Sequence, residues 1–165
     1  MLLNHQAALD YVLNKPDYFR ELTVQKILEI HRFLTKGLGI PNKIRAGRVG
    51  ITGTNYKPLA KANQIQKALQ DLCDLINSKR NVLEKAFIAL LLIAYIQPFE
   101  DGNKRTARII CNALLLPNKY RPISFRTVEP EDYRYATLLF YEQNSIPSFK
   151  KIFMEQLEFS TANYF

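Results

Sequence analysis

The sequence predicts a mainly α-helical domain carrying one short β-hairpin. Apolar residues recur at three- and four-residue spacings in block after block, and strand-like alternation is nearly absent. The exception, residues 45–58, is short, rich in Gly, Thr and β-branched residues, and closed by a proline.

Along the chain, "LTVQKILEIHRFLTKGLG" places Val24, Ile27, Leu28, His31 and Leu34 on one helix face, with Gly37 and Gly39 as the stop. His31 lies on that apolar face and reads as a core histidine. Next comes "RAGRVGITGTNYKP", the expected hairpin, with its turn near Thr52 to Thr54. The pattern of "ANQIQKALQDLCDLIN" puts Ile65, Ala68, Leu69, Leu72, Leu75 and Ile76 on a second helical face. Asn81 followed by Glu84 resembles a capping box and opens "VLEKAFIALLLIAYI", apolar nearly all round and therefore a central buried helix. A further buried helix, "TARIICNALLL", stops near Pro117. Pro130 fits the first position of "EDYRYATLLFYEQN", and Phe149, Ile152, Phe153 and Leu157 mark a last amphipathic helix.

With 165 residues and 47% hydrophobic content, the chain fits one compact domain spanning 1–165. Its longest apolar run, Ala86 to Ile96, is too short to span a bilayer, and the N-terminus lacks a basic n-region and a small-residue cleavage site. A soluble cytoplasmic protein is expected. Cys73 and Cys111 sit in apolar helical patterns without partners at ligand spacing, so buried free thiols are expected rather than zinc or a disulfide. The balance of 23 Lys+Arg against 15 Asp+Glu gives +8 and favours anionic partners. The cations are spread along the chain, with neither a helix-turn-helix signature nor basic-aromatic interleaving, which argues against nucleic acid.

The chemistry concentrates in "YIQPFEDGNKRTARII", residues 95–110. Gly102 and Asn103 precede a helix whose first-turn N–H groups favour an anion. Arg105 and Arg108, three residues apart, share a face directed back toward that terminus. Two guanidinium forks beside free N–H groups suit a polyphosphate. Asp101 and Glu100 make sense there if one carboxylate holds a magnesium ion bridging phosphates. The alternative is a helix whose Asp101 caps it and pairs with the arginines as ordinary surface electrostatics.

The order of these residues resembles the signature of the Fic family (the Fic/Doc domain): HPF, any residue, Asp or Glu, GN, any residue, R, two residues, R. The chain reads "QPFEDGNKRTAR" at 97–108, matching at Pro98, Phe99, Asp101, Gly102, Asn103, Arg105 and Arg108. The resemblance extends over about residues 20–155 and implies an all-helical fold with one hairpin flap, here about 45–58. It implies transfer of AMP from ATP to a Ser, Thr or Tyr hydroxyl of a target protein. Asp101 would hold Mg2+, and Gly102, Asn103 and Lys104 would sit at the nucleotide phosphates. Arg105 and Arg108 would take the outer phosphates and stabilise the leaving pyrophosphate. Phe99 would pack under the loop. In the flap, Ile51, Thr52, Gly53 and Tyr56 would position the target segment by strand-like pairing; the plainer reading of that segment is a loop cover. Tyr133 and Tyr141 would border the base pocket or simply pack in the core.

The chain departs from the pattern in three places. Gln97 stands where the family has its general base, and an amide hydrogen-bonds without accepting a proton. Loss of a positioned base costs ~100- to 10,000-fold in rate with binding largely retained. An impaired transferase is therefore expected, with a non-catalytic nucleotide-binding pseudoenzyme as the alternative. Lys104 replaces the usual glycine and resembles the Doc branch, whose members can phosphorylate a protein target, while Gly102 is kept as in AMP-transferring members. No convincing copy is present of the inhibitory helix many members carry: "TVEPED" at 127–132 has the Thr-to-Glu spacing but contains a proline. Inhibition is thus expected from a partner chain, from a segment outside this sequence, or not at all.

Overall fold

The computed structural model describes residues 1–163. Its helices are α1 (Leu2–Asn14), α2 (Val24–Thr35), α3 (Ala62–Ser78), α4 (Val82–Ile96), α5 (Asn103–Leu115), α6 (Pro130–Gln143) and α7 (Pro147–Asn163), with short 3-10 turns at Pro16–Phe19 and Leu116–Asn118. The expected helices are all present, and α1 is an addition that the N-terminal text did not announce. The local signals act as read. The Asn81 side chain accepts from the N–H groups of Leu83 and Glu84, Pro130 opens α6, and Gly37 and Gly39 adopt positive φ beyond the end of α2.

The core is built around α4 and α5, which pack against each other more extensively than any other pair. α4 carries apolar residues round its circumference and buries Ala86, Ala89, Leu90, Leu91, Ile93, Ala94 and Ile96. α2, α3, α6 and α7 turn apolar stripes onto the same core, and Phe87 of α4 meets Phe153 of α7 edge-on and Phe149 in a tilted pair. No helix among the described residues is long and apolar enough to cross a membrane.

The expected hairpin is not a hairpin. No strand is assigned among the described residues; 45–58 is an irregular segment with a turn at 52–53, where the sequence places one. Positive φ at Gly47 and Gly53 interrupts the extended run, and side chains hold the segment in place of a ladder. At one end Arg45 is 1% exposed and donates to the carbonyls of Gln97, Ile96 and Gly47. Near the other, Tyr56 stacks on Tyr95 at 4.4 Å and donates its hydroxyl to the Tyr95 carbonyl, and Gly47 donates to the Ala60 carbonyl. The segment is thereby tied across the end of α4, over the loop that joins α4 to α5.

Candidate active site

That loop is 97–102, between the end of α4 and the start of α5. Gln97 ends α4 in the left-handed region, at φ 52 and ψ 59, directly before Pro98. A non-glycine residue there carries strain that surrounding contacts must offset. They do so at both ends of the side chain. Gln97 Nε2 donates to the Ala94 carbonyl at 2.6 Å, and Oε1 accepts from Asn103 Nδ2 at 3.1 Å. Asn103, the first residue of α5, also accepts from the Phe99 N–H at 2.9 Å and donates to the Phe99 carbonyl at 2.8 Å. One buried amide thus satisfies both backbone groups of Phe99 and braces Gln97.

Beneath the loop, the Phe99 ring is fully buried and stacks on His31, with centroids 3.7 Å apart and planes 12° apart. His31 Nε2 lies 3.0 Å from the Asp101 carbonyl, which can only accept, so this nitrogen carries a proton. Its Nδ1 contacts the Asn42 side-chain amide at 3.1 Å. Gly102 caps α5 at φ 87 and lies over His31 and Thr35, which a β-carbon would meet at 3.5 Å. His31 is therefore a core histidine, as expected, and also a support for the loop.

Above the loop lies a cavity of about 280 Å³, lined by Gln97, Glu100, Asp101, Asn103, Lys104 and Arg105 together with Gly50 and Ile51 of the 45–58 segment. The N-terminus of α5 opens into it, with Thr106 making the first helical bond back to Gly102. Asp101 has a 66% exposed side chain; it accepts from the Gly102 N–H at 2.6 Å and pairs with Arg105 at 3.1 Å. The surface ion pair of the plainer sequence reading is thus present, although Gly102 is the cap. No cluster of three acidic, histidine or cysteine ligands exists among the described residues. A carboxylate this exposed, with Glu100 beside it, suits a cation that draws its remaining ligands from phosphate and water, as magnesium does.

A second cavity of about 630 Å³ adjoins the first through Ile51 and Lys104, and is lined by Thr52, Arg108, Phe125, Arg126, Val128, Pro130, Tyr133, Arg134, Thr137 and Leu138. Arg105 and Arg108 therefore serve different cavities, with Lys104 shared between them. The Arg108 guanidinium lies over the rings of Tyr133 and Phe125, at 4.8 and 5.3 Å, and its buried Nε has no hydrogen-bond partner. Burial, then the charges of Arg108 and Arg134, lowers the proton affinity of Lys104. His5 of α1 is half-buried, and its proton affinity is lowered by that burial and by Arg108 and Arg105.

The structure brings Gln97, Asp101, Gly102, Asn103, Lys104, Arg105 and Ile51 together, and places Thr52, Arg108 and Tyr133 at the adjoining cavity. Three residues line neither cavity. Tyr141 is 3% exposed and packs with Tyr56 and Tyr95, and its unpartnered hydroxyl is near Gln97. Tyr56 anchors its segment to α4. Gly53 lies at the turn with φ 88, against the Arg134 guanidinium. Arg45, Arg126, Arg134 and the loop-supporting role of His31 went unnoticed in the sequence, where nothing separates these cations from the rest.

Residues 21–115 match the Fic/DOC family. The chain belongs to that family. The Fic relatives include protein adenylyltransferase Fic of Nematostella vectensis, 32% identical over 119 residues that cover 68% of this chain and 27% of the relative. Protein adenylyltransferase fic-1 of Caenorhabditis elegans is 26% identical over 151 residues, covering 87% of this chain and 29% of that one. The chain thus spans less than a third of the length of either relative. Among solved structures, a Fic family protein from Desulfovibrio desulfuricans G20 superposes with a TM-score of 0.78 at 22% identity, over 96% of this chain and 51% of that one. The BepC protein of Bartonella tribocorum, solved with bound AMPPNP, superposes at 0.68 with 17% identity, over 93% and 85%. These likenesses show that the helical arrangement is the Fic fold.

Proposed function

We infer that this Fic domain binds magnesium–ATP across the two cavities and is built for AMP transfer to a hydroxyl of a target protein, with the chemical step slowed by Gln97. The observation that carries the reading is the first cavity, which the N-terminus of α5, Lys104, Arg105, the Asp101 carboxylate and Gln97 line together. Relatives named protein adenylyltransferases support it. Asp101, with Glu100 nearby, would hold magnesium, which neutralises phosphate charge.

The chain's own residues divide the remaining work. First-turn N–H groups of α5, Lys104 and Arg105 would bind the phosphates in the first cavity, and Arg108, stacked on Tyr133 and Phe125 at the second, would face the nucleoside. This is charge neutralisation and positioning, the main needs of phosphoryl-type transfer. Asn103 contributes by fixing the loop, because its side chain is already engaged three times within it. The target hydroxyl would approach beneath residues 50–53, whose backbone makes no ladder of its own and is free to pair with an extended segment. Its proton has no acceptor in Gln97.

The test is Gln97→His with ATP labelled at the α- or γ-phosphate. AMP transfer by the variant at ~100 times or more the rate of the parent chain is expected. Label from the γ-position alone would replace this reading with the Doc-like phosphotransferase suggested by Lys104. Nucleotide binding without transfer in either form would leave the nucleotide-binding pseudoenzyme.

A further inference from the structure

Adenosine is uncharged, yet the cavity that would receive it is the more cationic of the two. Lys104, Arg108, Arg126 and Arg134 all line it, and no carboxylate does. The first cavity, by contrast, sets Glu100 and Asp101 against Lys104 and Arg105. Arg134 forms no ion pair among the described residues, and Arg108 keeps a buried Nε without a partner. Burial, and then the charges of Arg108 and Arg134, lower the proton affinity of Lys104 at the same cavity. Phe125, Tyr133, Val128 and Leu138 supply an aromatic and aliphatic wall for a base. Gly53 crosses against the Arg134 guanidinium in a conformation, φ 88, that a side chain rarely adopts, so the turn leaves room for that group at the cavity's edge.

We propose that the second cavity recognises a phosphate on the ribose, so that the preferred ligand is a nucleotide phosphorylated at the 2′- or 3′-position as well as at the 5′-position. The proposal rests on the reading of the two cavities as one nucleotide site. The 5′-phosphates would lie at the α5 N-terminus in the first cavity, the base beside the Arg108 guanidinium and the Val128 and Leu138 side chains, and the ribose phosphate at Arg134. Guanidinium forks are suited to phosphate oxygens.

The full chain is titrated calorimetrically, at one fixed ionic strength, with AMP, adenosine 2′,5′-bisphosphate, adenosine 3′,5′-bisphosphate and ATP. One bisphosphate should bind about 10-fold more tightly than AMP or better, the ratio supplied by a single charge-assisted contact. The preference should collapse toward parity in Arg134→Gln, an exposed position on α6 whose substitution leaves the core intact. Equal affinity for AMP and both bisphosphates, with ATP bound, overturns the inference alone and assigns the arginines to stacking on the base. A preference that survives in Arg134→Gln overturns it too, because the phosphate is then held elsewhere. Binding of none of the four, ATP included, removes the nucleotide site itself and the inference with it.

Discussion

Asn103→Ala removes one amide and orphans three groups at once. The Phe99 N–H and carbonyl lose their partners at 2.9 and 2.8 Å, in a residue whose ring is fully buried, and Gln97 Oε1 loses its donor at 3.1 Å. Each unsatisfied buried backbone group costs about 1–3 kcal/mol, so the two at Phe99 place the loss at roughly 2–6 kcal/mol. In a domain of this length that corresponds to a drop in Tm of about 2–4 °C per kcal/mol, or roughly 6–12 °C for a loss near 3 kcal/mol. Asn103→Asp separates hydrogen bonding from volume. It keeps the shape and the acceptor for the Phe99 N–H, but turns a carboxylate toward the Phe99 carbonyl and Gln97 Oε1. Differential scanning calorimetry with and without magnesium–ATP reads both effects: a lower Tm, and a smaller increment from the nucleotide because the loop no longer holds its geometry. An Asn103→Ala variant that melts within about 2 °C of the parent would show that the amide braces nothing.

Arg45→Met should cost about 2–4 kcal/mol in urea unfolding, since the carbonyls of Gln97, Ile96 and Gly47 lose a buried donor; a change below about 0.5 kcal/mol would refute that support. His5 should titrate below its ordinary 6.5 in the folded chain, from burial and then from Arg108 and Arg105. The unfolded chain then takes up a proton that the folded one refuses, so this group lowers stability as pH falls below 6.5 and has no effect well above it. Magnesium–ATP should raise the His5 value by neutralising Arg105, and a proton NMR titration unchanged by nucleotide would place the phosphates away from it.

The helices were legible because burial writes a periodic pattern into sequence, and the motif was legible because its order is unusual. What the sequence hid is how loops are held. Three asparagines do similar work: Asn77 pairs with both backbone groups of Leu22, Asn103 with those of Phe99, and Asn112 with those of Ile123. Each gives a loop residue the two bonds a strand neighbour would have given, so irregular backbone can be buried next to helices. No periodicity marks such a residue, because its partner is distant in sequence or turned back on a neighbouring loop. The hairpin expectation failed for a related reason. Its composition suited strands, but Arg45 and Tyr56 tie the segment to α4, and positive φ at Gly47 and Gly53 breaks the run that a ladder would need. Arg45 and Arg134 look like any other cations in the sequence, and only the fold decides that one is buried and the other lines a cavity.

The same bonding pattern bears on what Gln97→His would do. Glutamine presents a donor to the Ala94 carbonyl and an acceptor to Asn103 Nδ2. A neutral imidazole protonated at one nitrogen presents the same polarity, one donor and one acceptor, and histidine tolerates the left-handed backbone found here better than most residues. Gln97 thus matches the hydrogen-bonding character of a histidine in its proton-accepting tautomer while lacking basicity. The substitution should therefore leave Tm within about 3 °C of the parent, a cost no larger than one rearranged hydrogen bond, while the rate of transfer rises. A histidine variant that binds magnesium–ATP, melts like the parent and still transfers nothing would locate the defect outside position 97. A variant that loses nucleotide binding would instead show that the loop depends on both ends of the glutamine amide.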